Sequence, residues 1–411
     1  MERGKLKVLK NVNLLILAVI LAGTYLTQIQ DLLFLIVVFL VLLINNKLTI
    51  SFNMPGEGIY LIMLLGGLAI GIANLLGGKY TIYEIFKHTY YYLVLFLYWH
   101  IGEQLIRSRK VQRITFLKTV LAAATITSLA DIITCVGNIA KSSSFDINSF
   151  RNLIGAGNTI SLIGVYLCLV YKREIGLSKG KANLILTICV ISSVIHFSRM
   201  MLLYAGIFVL ISGVRLINVR WLKYAVVGIL CIGAVWCIFP DLTQLYINKL
   251  LSSFTEINFK TNIWNDTTIV HNWRGYEVSC AIDQFKQSPF INQLVGSGFG
   301  TTLYVKGYAY LVTNEKRLSF LHNGYFTQLL IWGILGIVCF FVWIILILKR
   351  TSVMKFQKDK RFAKSIVLIV LVANYFVMGP FFSATVASLF FYISMLFGLN
   401  RETTIIGQVE I

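Results

Sequence analysis

The sequence predicts an all-α fold of polytopic membrane type, a helical bundle of about twelve spans carrying one large external loop with short helices. Three observations predict it. Of 411 residues, 57% are apolar and 13% charged, more apolar surface than a soluble core absorbs. The apolar residues fall into runs near the roughly 20 residues needed to cross about 30 Å of hydrocarbon. The basic residues gather in alternate joints between those runs, as the positive-inside rule requires of a threaded chain.

Taken in order, the candidate spans are 12–28, 31–45, 58–76, 89–106, 114–137, 152–171, 183–197, 199–217, 222–240, 321–348, 363–380 and 381–399. The basic leader MERGKLKVLK runs into the first span without a small-residue cleavage pattern, so that span is read as retained. Several joints are tight, among them HFSRMM and MGPFF, and fusing the seventh and eighth candidates would reverse the sidedness of everything after them. With twelve spans and both termini inside, 25 of the 37 Lys and Arg residues lie on the inner side, and the net charge of +20 divides into +18 inside and +2 outside. The basic balance is therefore a topology signal, and no nucleic-acid partner is needed to explain it. Six of the seven cysteines fall in apolar segments and Cys280 in polar sequence, without metal-site or disulfide spacing, so they read as packing residues.

The chain thus divides into spans one to nine over 1–240, an external loop over 241–320, and spans ten to twelve over 321–411. Inside the loop, NWRGYEVSCAIDQFKQSPF predicts a helix: Asn272 suits the N-cap, Trp273, Tyr276, Cys280 and Gln284 or Phe285 repeat at three to four residues, and Pro289 stops it. Arg274 and Glu277 fall one turn apart on another face, at a spacing that allows a pair. In VGSGFG, Gly296, Gly298 and Gly300 alternate, which suits either a backbone cradle for an anion or a sharp bend.

Polar groups at membrane depth are costly and each needs a reason. Asp131 sits in the outer half of the fifth span and suits a structural partner for a buried arginine. Arg151 opens RNLIGAGNTISLIG, where Asn158 can bond across helices. His88, His100 and His196 read as structural histidines in or beside spans. Arg199, Arg274 and His322 come from three separate parts of the chain, yet the topology puts all three on the outer face. Two guanidiniums can hold a diphosphate through bidentate charge-assisted bonds, and a histidine can take a proton from a hydroxyl. No paired aspartates of DxD type occur in the loop and no metal-ligand spacing appears, so a reaction without metal or cofactor is the simpler expectation.

The order of these pieces resembles the O-antigen polymerase and ligase family, which includes Wzy-type polysaccharide polymerases and the lipopolysaccharide O-antigen ligases. The resemblance rests on SR between two spans, then WRGYE and IDQFKQSPFINQLVGSGFG in the long loop, then HNGYFTQLLIWGILGI opening the next span. It is clearest over 190–345, with RNLIGAGNTISLIGVYL near 151–167 a weaker upstream match.

The resemblance implies a GT-C-like glycosyltransferase at the outer face of the cytoplasmic membrane. Its donor and acceptor would be oligosaccharides linked through diphosphate to undecaprenol, with a flippase and a chain-length regulator as candidate partners. Arg199 and Arg274 match the family arginines associated with the diphosphate, and His322 the histidine that activates the acceptor hydroxyl. Glu277, Arg151, Asn158 and Asn323 are counted with the substrate-binding residues, although GNTIS departs from the family's commoner Asn-Pro-Asn pattern around Asn158. Polymerisation is preferred to ligation because the Ile/Lys/Asn-rich composition is common in bacteria without lipopolysaccharide. A lipid or glycan transporter is the alternative of another class, and the absence of an internal repeat between the halves weighs against it.

Overall fold

The computed structural model describes residues 12–50, 53–108, 111–141, 159–196, 198–212, 244, 264–311 and 317–409. Among the described residues, nine helices precede the long polar segment: α1 (Val12–Tyr25), α2 (Gln28–Asn45), α3 (Glu57–Leu76), α4 (Ile82–Arg107), α5 (Arg113–Lys141), α6 (Thr159–Val170), α7 (Lys172–Ile175), α8 (Lys179–Ile195) and α9 (Arg199–Ser212). Within that segment lie α10 (Asp266–His271), α11 (Trp273–Gln287), α12 (Phe290–Val295) and a two-stranded antiparallel pair, β1 (Leu303–Tyr304) with β2 (Arg317–Leu318). Then follow α13 (Gly324–Ser352), α14 (Gln357–Phe376), α15 (Ala384–Ala387) and α16 (Leu389–Val409).

The chain is accordingly an all-α membrane protein. Among the described residues, five helical stretches are long and apolar enough to cross a bilayer, namely Gln28–Asn45, Glu57–Leu76, Arg113–Asn138, Gly324–Ser352 and Ala384–Arg401. Val12–Tyr25, Thr159–Val170 and Arg199–Ile211 are shorter apolar helices. Each sequence-predicted span overlaps a helix except 222–240, which lies outside the described residues. In HFSRMM, α8 is capped at His196 and α9 begins at Arg199, so the seventh and eighth candidates are separate helices.

Helix α4 is central and packs against α2 and α16, while α8 packs on α5 and α6, α9 on α14, and α13 on α3 and α14. Aromatic rings fill the seam between α3, α4 and α13: Tyr92 stacks on Phe381 at 4.4 Å between centroids, and Trp343 lies 5.6 Å from Phe381 and 5.7 Å from Tyr60. In a bilayer helices gain little from leaving lipid, so large interlocking rings supply the dispersion contact that holds them.

At the opposite end from the polar segment, Arg113 ties three elements together. Its guanidinium donates twice to Asp359, at 2.7 Å each, and once to Glu174 at 2.8 Å. Tyr171 and Asn400 donate to the same buried Asp359, at 2.8 and 2.9 Å, so the carboxylate is fully engaged.

Candidate active site

The site is built on two short pieces of chain. Helix α11 starts as its sequence predicts, with the Asn272 side chain accepting from Gly275 N–H at 3.3 Å. Its apolar face, Trp273, Tyr276 and Cys280, joins Ile269, Leu303, Val305 and Leu321 in a small core of its own. Burial raises the Cys280 thiol above its ordinary range, with the hydrogen bond to Tyr276 opposing it, so this cysteine is a packing group.

The second piece is residues 321–323, at the mouth of α13. Asn323 caps that helix: its Oδ1 accepts from the N–H of Tyr325 at 3.1 Å and of Phe326 at 3.4 Å. One residue before His322, Leu321 N–H donates to Thr327 Oγ1 at 3.1 Å. His322 is thus held between two anchored neighbours, with its side chain 36% exposed.

Glu277 joins the two pieces. Its carboxylate is 2% exposed and accepts from His322 N–H at 2.9 Å, from the ring Nδ1 at 3.0 Å, and from Trp273 Nε1. A carboxylate beside Nδ1 favours the tautomer with its proton there, which leaves Nε2 as the acceptor. The arrangement can take a proton at Nε2 and stabilise the resulting imidazolium through a buried negative charge. The spacing of Arg274 and Glu277 allows a pair, but the Glu277 oxygens serve His322 and Trp273, because α11 turns that face toward the start of α13. Asn323, counted with the substrate ligands, uses its amide oxygen as a helix cap.

The glycine loop has a structural task rather than an anion to cradle. Ser297 and Gly298 N–H donate to the carbonyls of Leu330 and Ile331 at 3.0 and 2.8 Å, Phe299 N–H to Gly67 O at 2.8 Å, and Gly300 N–H to His88 Nδ1 at 2.8 Å. The two α13 carbonyls are available because that helix breaks at Gly333, where φ is +65°. Gly296 approaches the break so closely that an added Cβ would lie 2.1 Å from Ile331 O, and its φ of +81° excludes most other residues.

His88 completes the dock: Nδ1 accepts from Gly300 and Nε2 faces Ser319 O at 3.0 Å. A ring that accepts at one nitrogen and donates at the other is neutral and structural. Lys87 brings its ammonium 3.3 Å from Ser319 Oγ and 5.2 Å from the Phe320 ring. This cation, close in sequence to neither arginine, was not singled out by sequence; an isolated lysine at a span mouth carries no pattern.

Arg274 lies half-buried on α11, one turn before Glu277, the residue that holds His322. Arg199 is the half-buried first residue of α9, a helix that packs on α14 and α6, while α11 packs on α13 and β1. The two arginines are therefore carried by different walls, linked through the α13–α14 contact. Just before Arg199, His196 Nε2 lies 3.1 Å from Asp131 Oδ2, which also accepts from Ser192 at 2.7 Å. Asp131 therefore partners a histidine, where an arginine was expected. Arg151 and Asn158 lie outside the described residues.

Residues 183–341 match the model of the O-antigen ligase family. The chain carries a domain of the O-antigen polymerase and ligase family. That domain takes in Arg199, Arg274, Glu277, His322 and Asn323, and it begins after Arg151 and Asn158. It implies a membrane enzyme that transfers glycans. No curated protein matches the chain.

Proposed function

We propose that this protein is a polysaccharide polymerase of inverting, GT-C-like type, moving a growing glycan from undecaprenyl diphosphate onto the next lipid-linked repeat unit. In this reading twelve spans put both termini in the cytoplasm, over 1–240 and 321–411, and the 241–320 segment on the outer face of the inner membrane. The observation that carries it is the Glu277–His322 pair, a buried carboxylate holding the Nδ1 face of a half-exposed histidine inside the matched domain.

The chemistry runs through these groups. His322 Nε2 takes the proton of an acceptor hydroxyl as its oxygen attacks the anomeric carbon, a contribution of about 10²–10⁴-fold for general bases. The bond from that carbon to the diphosphate oxygen breaks, and the leaving diphosphate rests on Arg274 and Arg199 through charge-assisted bonds. A single displacement inverts the anomeric centre. Glu277 keeps the ring in the right tautomer and offsets the charge it gains. The polyprenyl tail stays among lipids while its head reacts, which suits a site at a helix mouth.

Purified protein given lipid-linked repeat unit should yield a ladder of products with inverted linkages. One transfer to a different lipid acceptor, with no ladder, would mark a ligase. Arg274→Lys keeps the charge and loses the bidentate fork. Donor binding should weaken by roughly tenfold or more, one or two charge-assisted bonds' worth, and unchanged binding would remove Arg274 from the diphosphate site.

A further inference from the structure

Between α9, α13 and α14, away from the Glu277–His322 pair, a groove of about 400 Å³ is lined by Ile211, Ile345, Leu348, Val367, Leu368 and Leu371, with Lys349, Ser352 and Lys364 completing it. We propose that it binds an anionic glycerophospholipid, one acyl chain in the apolar trough and the phosphate against the two ammonium groups.

The order of residues along the two helices gives the groove a direction. On α13, Ile345 and Leu348 precede Lys349; on α14, Val367, Leu368 and Leu371 follow Lys364. Consecutive helices joined by the short turn 353–356 run in opposite senses, so both lysines fall at the end nearest that turn, and the aliphatic wall continues away from it for about 10 Å beyond Lys364. A charged mouth over an apolar trough is the shape of one phospholipid arm, and lysine stems can lie along apolar wall while their heads reach a phosphate.

Two nearby basic residues are already used: Arg113 holds Asp359 and Glu174, and Lys358 holds Glu174 at 2.6 Å. Neither Lys349 nor Lys364 has a carboxylate partner among the described residues. Ile345 and Leu368, 49% and 38% exposed, leave the trough open at the helix surface. The lysines sit at the far end of α13 from His322, so the polyprenyl diphosphate head at the proposed active site cannot occupy them. The leaflet, cytoplasmic, rests on the orientation proposed above; the groove itself does not.

The test uses full-length protein in nanodiscs containing a phosphatidylglycerol with a photoreactive group in its acyl chain, and maps labelled peptides by mass spectrometry. Label should concentrate on 345–352 and 367–371, and excess phosphatidylglycerol should remove it. Phosphatidylcholine, inorganic phosphate and polyprenyl phosphate should not; equal competition by any of them would overturn the proposal. Lys349→Gln with Lys364→Gln should cut labelling roughly tenfold or more, two lysine–phosphate contacts' worth, and Lys349→Arg with Lys364→Arg should keep it. Leu371→Trp fills the trough without touching the lysines and should also lose the label. Labelling unchanged in both the glutamine pair and Leu371→Trp would refute the site. Because the readout involves no glycan transfer and is blind to leaflet, failure here is separable from failure of the polymerase assignment.

Discussion

Exchanging Glu277 for glutamine tests the histidine's support without changing its shape. The carboxylate accepts from three donors, His322 N–H, His322 Nδ1 and Trp273 Nε1, across two oxygens. A glutamine has one oxygen to accept with, and its amino group must face either the backbone N–H, now 2.9 Å from Oε2, or the ring nitrogen, now 3.0 Å from Oε1. Turned toward the ring, it favours the tautomer with the proton on Nε2, which removes the base from the acceptor hydroxyl. The loss should therefore approach the general-base contribution, about 10²-fold or more in kcat, or roughly 2.7 kcal/mol in the barrier. The assay is elongation of lipid-linked repeat unit by purified protein, with donor KM and thermal melting measured on the same preparation. Near-normal KM and melting with depressed kcat is the expected pattern. An intact Glu277→Gln protein with kcat within twofold of wild type would refute the claim that the carboxylate orients the base.

Two further outcomes test the scaffold. Gly296→Ala forces a left-handed φ of +81° on a residue whose Cβ would meet Ile331 O at 2.1 Å; it should cost about 2 kcal/mol or more and lower the melting temperature in detergent by several degrees, and an unshifted melt would contradict the docking of this loop into the α13 break. Cys280 is 2% exposed with its thiol raised by burial, so a membrane-impermeant maleimide should label it far more slowly than a cysteine at Tyr310→Cys, a position 64% exposed, and comparable rates would show that the α11 core is open.

Much of the architecture was legible because membrane helices must satisfy their own backbone groups, and apolar length records that requirement directly. The α11 helix was equally readable, since Asn272, Pro289 and the Trp273–Tyr276–Cys280 stripe are local signals. The Glu277–His322 pair was not. Its members are 45 residues apart and meet only because α11 and the mouth of α13 share a small core. Reading Glu277 by its nearest charged neighbour, Arg274, therefore gave it the wrong partner. The glycine loop was ambiguous for a related reason: the same spacing serves an anion cradle or a tight bend, and only the freed carbonyls of Leu330 and Ile331 decide between them. Asp131 illustrates the limit of charge reasoning, because its partner is a histidine on another span, and sequence spacing does not record which spans touch.

The central claim is that His322 is the base of a glycan-transferring site. Single-turnover elongation of a lipid-linked repeat unit by wild-type protein and by His322→Ala, at equal and verified folding, measures it most directly. The account predicts a loss of about 10²-fold or more with donor binding retained; elongation by His322→Ala at the wild-type rate would contradict it.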